Sequence, residues 1–258
     1  MSLRLRQMVL IARNLAPVVD DLHEVFGLEV AFRDPAVKTF GLENAVFPVE
    51  NQFLEVVAPI REGTAGERYL ERRKGDGGYM VILQCDGDDH ARHKQRVAEL
   101  GIRKVMEHDE PEFHIMQLHP RDTGGSLLEI DVQVGGENMN GPWVPAGRDW
   151  QRAVHTDVVR TIAAAELQSP EPDALAARWS EIVQLPVERD TSGHPSLRVD
   201  NATLRFVPDT DGRGEGLGGL DIRVANRTRL LDAAKRRGCR VDNDVVHIGG
   251  IRFRLLDA

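Results

Sequence analysis

Two glutamates at matched positions of a repeated pattern are the residues of this sequence best placed to carry chemistry. Glu55 lies in the strand-like run FLEVVAP and Glu129 in the run SLLEIDV, and each has apolar residues on both sides. Alternation alone also allows each to be the solvent-facing residue of a half-exposed strand. Two acids at equivalent repeat positions would be a coincidence on a solvated face, so we expect both to point inward. Inward carboxylates can transfer protons or bind a divalent cation.

The runs that carry these glutamates end a unit that occurs twice in the first 134 residues. Alternating and helical spacings of apolar residues predict a strand, a helix and three strands in each copy. The first copy comprises the strand RLRQMVLIA, the helix Leu15–Phe26 and strands over 29–33, 44–49 and 52–57. The second comprises the strand GGYMVILQC, the helix DDHARHKQRVAELG and the strands IRKVMEH, FHIMQLHP and GSLLEIDVQ. The copies superpose at an offset of 72 to 74 residues, which places Gln7 against Tyr79 and Glu55 against Glu129.

Two further copies follow a stretch rich in Gly, Asn and Pro. Residues 135–152 lack periodicity, so we predict an inter-domain linker there. The third copy has a helix over 172–183, and the fourth is one strand short or strongly trimmed. The chain is therefore predicted to be an α+β protein. Its tandem βαβββ units would form two curled mixed-sheet domains, 1–134 and 153–258, with helices on the outside.

This organisation resembles the vicinal oxygen chelate superfamily, which includes glyoxalase I, methylmalonyl-CoA epimerase, extradiol dioxygenases and the bleomycin resistance proteins. The N-terminal half is most similar to methylmalonyl-CoA epimerase and glyoxalase I. The likeness rests on FLEVVAP, GGYMVILQCDG and QLHPRDTGGSLLEID, the last of which is similar to the epimerases' HPK-x-TGG-VLIEL stretch. Over 153–258 the resemblance is only architectural. In this superfamily two units face each other, and their curled sheets enclose a cup that holds a divalent metal.

The resemblance implies one inward side chain on the first and last strand of each N-terminal unit. Those positions are Gln7, Glu55, Tyr79 and Glu129. It implies Gln7, Glu55 and Glu129 as ligands of Mn, Co, Ni, Zn or Mg, and Glu55, Tyr79 and Glu129 as catalytic residues. The family usually has His where Tyr79 stands. A protonated phenol would donate a hydrogen bond to a developing oxyanion instead of binding metal.

The implied activity is that of a glyoxalase-like lyase or isomerase acting on a small oxygenated compound through metal-assisted enolate chemistry. A metal would polarise a carbonyl, or one carboxylate would remove the neighbouring proton. The alternative is a non-catalytic small-molecule binding protein of the bleomycin-resistance type, without metal. An extradiol dioxygenase is disfavoured, because its iron needs two His and the matched positions offer none.

Arginines replace both glutamates in the second half. Alignment places Arg205 where Glu55 stands and Arg254 where Glu129 stands, and an arginine cannot ligate a cation. This half is then either a structural partner or a cup for an anion. If both arginines point inward, we expect an anion or carboxylates, such as those over 209–215, beside them. The alternative is that they extend to solvent.

Two histidines, His114 and His119, offer weaker candidates for acid–base chemistry. His114 and His119 flank one strand, and their spacing of five residues puts them on opposite faces, so at most one reaches the cup. His90 and His93 lie on a polar helix and are expected to be solvated.

Composition restricts the partners. A formal charge of −8 argues against nucleic acid, which requires a clustered basic face. The apolar run Met8–Ala12 is too short for a signal-peptide core or a bilayer span. We expect a cytoplasmic protein with a small-molecule ligand, no nucleic-acid or membrane partner, and a homodimer as the assembly to test. Cys85 and Cys239 are expected to be reduced core residues.

Overall fold

The computed structural model describes residues 2–258, and its first half follows the predicted order of elements. The strands are β1 Leu3–Ile11, β2 Leu42–Val49, β3 Gln52–Pro59, β4 Gly77–Cys85, β5 Lys104–Asp109, β6 Phe113–Leu118 and β7 Leu127–Gln133. The α-helices are α1 Leu15–Phe26, α2 Ala65–Arg72, α3 Gly87–Glu99 and α4 Pro120–Thr123, with a 3-10 helix at Pro35–Phe40.

The second half repeats the arrangement. Its strands are β8 Val159–Ser169, β9 Glu188–Arg189, β10 Pro195–Arg198, β11 Thr203–Pro208, β12 Gly216–Val224, β13 Val241–Asp242, β14 Val245–Ile248 and β15 Ile251–Asp257. Its α-helices are α5 Pro172–Val183 and α6 Arg227–Arg237, and short 3-10 helices lie at Val144–Ala146 and Trp150–Ala153.

These strands form two mixed sheets. The first has the order β2-β3-β1-β4-β7-β6-β5, and the second has the order β13-β14-β15-β12-β8-β11-β10-β9. Parallel pairs such as β4 with β7 alternate with antiparallel pairs such as β6 with β7. The predicted α+β class with tandem βαβββ-type units is confirmed.

One strand prediction needs correction. Residues 29–33 form only an isolated bridge between Phe32 and Val46, because the chain turns at Asp34 into a 3-10 helix that has Pro35 at its start. The first unit is therefore a strand short. The fourth unit keeps all its strands, but its β13 has only two residues, in agreement with the alternative that this unit is strongly trimmed.

Internal packing divides the chain into two compact units, each built from separate segments. Unit 1 contains the residues up to Gln7 together with Tyr79–Val144 and Ala164–Leu217. Unit 2 contains Met8–Gly78, Pro145–Ala163 and Gly218–Ala258. Each unit thus combines one N-terminal and one C-terminal copy of the repeat. The sequence-contiguous domains 1–134 and 153–258 remain a prediction about independent folding.

The helices pack as their apolar spacing predicts. In unit 2, α1 buries Val18, Leu22 and Phe26 on one face and ends at Gly27, whose left-handed φ of 70° suits glycine. Phe26 meets Phe253 edge-to-face at 4.8 Å, where α1 and β15 contribute to one core. In unit 1, Trp179 of α5 packs against a β11 side chain in the same edge-to-face geometry.

Part of the predicted linker is a packed segment of unit 1, here called the strap (residues 136–144). Its Trp143 is 1% exposed and stacks edge-to-face on Phe113. Buried side chains of the sheet bind its backbone: Gln84 Nε2 donates to the Gly136 carbonyl, Arg4 to that of Glu137 and Arg6 to that of Met139. These bonds pair backbone carbonyl groups of an otherwise irregular segment. The predicted inter-domain linker is therefore anchored to the sheet over these residues through Trp143 and three carbonyl groups.

Candidate functional site

Glu129 lies near the middle of β7 in unit 1 and is almost fully buried. The register pairs it with Gln117 of β6, whose Nε2 donates to Glu129 Oε2 at 2.9 Å. The same Nε2 lies 3.8 Å from the sulfur of Met80. Gln117 thus holds the carboxylate from one side and a thioether lines the site from another.

Asp131 lies two residues further along β7 and therefore on the same face as Glu129. Its side chain is 0% exposed, and its carboxyl group lies close enough to that of Glu129 for the two groups to interact electrostatically. The amide of Met116 donates to Asp131 Oδ1 at 3.4 Å, whereas Asp131 Oδ2 is buried without a hydrogen-bond partner among residues 2–258. Two ionised carboxylates can only accept and would repel each other, so a proton on one of them is favoured.

Burial raises the pKa of both carboxyl groups. For Glu129 the loss of solvation dominates, and the interactions with Asp131 and Gln117 oppose it in part. For Asp131 burial again comes first, and the neighbouring Glu129 charge raises the pKa further, well above its ordinary value. The pair therefore retains a proton at a pH where exposed carboxyl groups have lost theirs.

Tyr79 does not share the face of Glu129. The parallel register of β4 and β7 pairs Ile82 with Glu129 and Gln84 with Asp131, so Met80, Ile82 and Gln84 point to the side of the two acids. Tyr79 is one residue out of phase with them, and its backbone carbonyl accepts from Ser126 Oγ. The expectation that Tyr79 joins Glu129 is wrong, because a shift of one residue moves a side chain to the other face.

Gln7 is buried in unit 1, and its amide oxygen is engaged. Trp143 Nε1 of the strap donates to Gln7 Oε1 at 2.7 Å. This oxygen is the atom that the superfamily resemblance assigns to a metal.

Glu55 is buried on β3 of unit 2, as predicted. Asn44 of β2 donates from Nδ2 to Glu55 Oε1 at 2.7 Å, and the same asparagine binds the backbone of Asp34 through its carbonyl. Glu55 therefore resembles Glu129 in having an amide side chain on the neighbouring antiparallel strand as its donor. The sequence did not single out Asn44 or Gln117, although both are polar residues within apolar strands.

The donor atoms at Gln7 and beside Glu129 suit a proton better than a divalent ion. Gln7 offers an oxygen that an indole already binds, Gln117 turns an N–H toward Glu129, and Met80 contributes a soft thioether. Within residues 2–258, no three His, Cys, Asp or Glu side chains form a group that could hold a metal ion.

Both arginines of the second half have acidic partners, but only Arg205 is buried; the Arg254 side chain is 42% exposed, as in the alternative of extension to solvent. Arg205 lies 2.7 Å from Glu166 and 3.7 Å from Asp190 within unit 1. Arg254 forms a two-pronged ion pair with Asp221 within unit 2. The acids of the 209–215 stretch bind Gln168 and Ser169 instead, so their predicted role is wrong.

The histidines follow a different pattern from the one expected. His114 binds Asp109 at 3.1 Å, and His119 Nδ1 accepts from the Arg121 amide as the cap of α4. His90 and His93 are buried in α3, which contradicts their predicted solvation. Of the cysteines, Cys85 is buried as expected, whereas Cys239 is only half-buried.

A pocket of about 440 Å³ lies elsewhere, in unit 2, at the ends of β1 and β3. Arg13, Pro59, Arg61 and Leu70 contribute to its lining together with three glutamates, Glu62, Glu67 and Glu71. Its wall does not include Glu55.

The family to which the chain belongs follows from its similarity to known families. Residues 8–183 match the family described as Glyoxalase-like domain. The chain belongs to the glyoxalase-like domain family. This membership, with the two mixed sheets, confirms the resemblance to the vicinal oxygen chelate superfamily. No curated protein matches the chain significantly.

Solved structures share the fold at low identity. A hypothetical protein from Staphylococcus aureus is 12% identical with a TM-score of 0.68, and the match covers 100% of both chains. The Mn(II)-bound glyoxalase from Novosphingobium aromaticivorans is 13% identical with a TM-score of 0.64 over 97% of this chain and 80% of that one. Methylmalonyl-CoA epimerase from Mycobacterium tuberculosis is 20% identical with a TM-score of 0.44 over 55% of this chain and 91% of that one.

Over residues 2–258, no helix combines the length and apolar character that a membrane crossing requires.

Proposed function

We propose that this glyoxalase-like protein is a proton-transfer enzyme of the lyase or isomerase class that acts on a small oxygenated carbon compound. The observation that carries the proposal is the pair of buried, interacting carboxyl groups of Glu129 and Asp131, with Gln117 holding Glu129. Two carboxyl groups in contact can hold one proton in a dry site, which is an arrangement suited to general acid–base catalysis.

In this proposal each carboxyl has a separate task. The ionised member accepts a proton from the carbon next to a substrate carbonyl, and the protonated member donates a hydrogen bond to the oxygen on which negative charge develops. Gln117 is a positioning residue, because its bond to Oε2 fixes the rotamer of Glu129. The chemistry requires no metal, in contrast to the metal-assisted route that the superfamily resemblance implies.

Glu55 remains a second candidate base on the evidence of the repeat. Its burial and its bond from Asn44 parallel the environment of Glu129. Its role is tested separately from that of the Glu129–Asp131 pair.

Because the proposal names a class of substrate and not one compound, the experiment measures exchange of substrate hydrogen with solvent over a panel of compounds. The protein is incubated in D₂O with a panel of 2-oxo acids, α-hydroxy aldehydes and thioesters, and NMR records loss of the proton next to the carbonyl. We expect exchange with at least one compound, and a loss of about a hundredfold or more in Glu129→Gln and Asp131→Asn. Glu110→Gln, an exposed acid of the same unit, is the matched control. Glu55→Gln is measured in parallel.

A metal arm accompanies this test. Because the Novosphingobium glyoxalase is described as Mn(II)-bound, exchange is measured after EDTA treatment and again with added Mn(II). We expect equal rates. Exchange that depends on Mn(II) would overturn the metal-free mechanism, and no exchange with any compound would count against an enzyme.

The rival function is a non-catalytic binding protein, and Met80 beside Gln117 favours it. A thioether in place of a ligand gives the site an adaptable apolar wall, which suits ligand retention. A compound that raises the melting temperature without any hydrogen exchange would support this function over catalysis.

A further inference from the structure

Two buried histidines lie on the inner side of α3 in unit 1. His90 is 6% exposed and His93 is 0% exposed. Their spacing of three residues places both on the helix face that packs against β7 and α5. This face of β7 is the side opposite to Glu129 and Asp131, because the residues that alternate with the two acids point toward α3.

Several ring nitrogens of these histidines lack partners. Within residues 2–258, neither nitrogen of His93 has a hydrogen-bond partner, and Nε2 of His90 has none. Buried polar groups without partners are rare in native proteins, so each needs an explanation. A neutral imidazole buries one N–H, whereas an imidazolium would bury two and a full charge.

We propose that the His90–His93 pair is a pH-sensitive latch that holds α3 on β7 while both rings are neutral and releases the helix on acidification. The inference does not depend on the proposed function. It rests on the burial of both rings and on the absence of acceptors for the protons that acidification would add.

The charged groups around the latch do little to stabilise a protonated ring. Asp89 on α3 favours the charged form of His93, but its carboxylate already accepts from the Ser2 amide and from Arg92. The remaining groups that the packed elements contribute are Lys94 on α3, His114 on β6, Asp109 on β5, and Arg178 and Glu181 on α5. Leu128, Ile130 and Val132 are the residues of β7 on this side.

His90 faces a mixed environment. Lys94 and His114, the latter 6.0 Å away between ring centroids, disfavour its protonation, and Asp109 opposes them only weakly. Burial lowers the pKa of His90 to about 4 and also lowers that of His93. The pKa values of both rings in the folded protein lie below the ordinary value of 6.5, so the neutral rings contribute their full stability to the fold above pH 6.5. This contribution is lost as the pH falls through the interval between 6.5 and about 4.

Release of α3 would affect the candidate site through strand β7, which carries both acids. The helix α3 packs against β7, and the His90 ring lies near the backbone of Ile130, between Glu129 and Asp131. A change in the docking of α3 therefore changes the support of the segment that carries both acids. The latch would reduce any activity of that pair in acid.

The first test uses hydrogen–deuterium exchange of the whole protein between pH 7.5 and 4.5, with rates corrected for the intrinsic effect of pH. We expect amides of α3 to lose protection by about tenfold or more between pH 6.5 and 4.5, while those of α1 in unit 2 keep theirs. Unchanged protection of α3 down to pH 4.5 would overturn the latch, and so would simultaneous loss in α1 and α3.

The second test uses variants. His93→Phe and His90→Gln remove the titrating rings, and we expect each to move the α3 transition to lower pH by about half a unit or more. His108→Gln, an exposed histidine of β5, is the matched control and should leave the transition in place. A transition unmoved by both latch variants would contradict the proposal. If they fold poorly, NMR titration of the wild-type rings decides: His90 and His93 should remain neutral until α3 loses protection.

Discussion

Arg205 and Glu166 lie directly opposite each other on the parallel strands β11 and β8, with Nη2 and Oε2 2.7 Å apart. Arg254 and Asp221 have the same relation on β15 and β12. Both C-terminal copies of the repeat therefore pair an arginine of the last strand with an acid of the first. The N-terminal copies carry Glu55 and Glu129 on the last strand instead.

The first prediction concerns the Arg205–Glu166 pair. Arg205→Met should destabilise the protein by about 3 kcal/mol, because it leaves the largely buried Glu166 carboxylate without its nearest cation. The double variant Arg205→Met/Glu166→Leu should recover most of that loss. Urea unfolding measures both. Arg189→Met, which breaks the exposed pair with Asp173, should cost about 0.5 kcal/mol or less. Additive losses in the double variant would show that the pair is not coupled.

The second prediction concerns the TGG turn that resembles the epimerase motif. A Cβ at Gly124 would lie 2.9 Å from Leu175 Cδ1, and its φ is 72°. Gly124→Ala should therefore destabilise unit 1 by about 2–4 kcal/mol, from backbone strain and overpacking together. Gly124 also has a ψ of 169°, in a region that only glycine normally adopts. Gly101 has a positive φ of 64° with open space around it, so Gly101→Ala, with an expected cost of about 1–2 kcal/mol, is the control for a positive φ without a close contact. A loss at Gly124 no larger than that at Gly101 would show that neither the Leu175 contact nor the ψ of Gly124 adds a cost.

The sequence predicted best the elements whose pattern is long and periodic. The bounds of α1 and α5 are those expected, because apolar residues at helical spacing are followed or preceded by clear end signals. The burial of Glu55 and Glu129 was also predicted, because two equivalent positions of a repeat share an environment. Repetition gave information that alternation in a single strand does not contain.

The side-chain placements that the sequence did not predict depend on contacts between residues that are remote in sequence. The placement of Tyr79 failed by one residue, since a repeat offset of 72 to 74 residues does not define which strand residue faces which side. His90 and His93 stand among charged neighbours, so only tertiary packing shows that they face β7 and α5. The burial of Trp143 follows from its bond to Gln7, 136 residues away, and no local pattern contains that information.

The third prediction is the pH dependence of the Glu129–Asp131 pair. Folding raises the pKa values of both carboxyl groups. The contribution of the protonated pair to the free energy of unfolding is therefore fully present below the ordinary carboxyl pKa, and it is lost as the pH rises through the raised pKa values. Asp131→Asn removes one of the two charges. Its free energy of unfolding should therefore decline less than that of the wild type between pH 5 and pH 9, measured in urea. Parallel curves for the two proteins would show that Asp131 does not retain a proton. The latch histidines act in the opposite direction below pH 6.5, but they are present in both proteins, so their contribution cancels in the difference between the two curves.

The last prediction concerns truncation. The fragment 1–134 is one domain by sequence, yet within unit 1 its turn after α4 depends on residues beyond its end. Trp179 Nε1 donates to the Gly124 carbonyl at 3.3 Å, Arg178 Nε donates to that of Asp122 at 2.9 Å, and the Gly125 amide donates to Glu215.

Removal of these partners would also expose the surface that Leu167 and Leu175 cover at Gly125. We expect the fragment 1–134 to lack a cooperative urea transition by circular dichroism. The fragment 79–217 spans most of unit 1 and should unfold with a measurable transition. If 1–134 unfolds cooperatively on its own, the contiguous domain predicted from the sequence is an independent folding unit, and the contacts of Arg178 and Trp179 add stability to a domain that already exists without them.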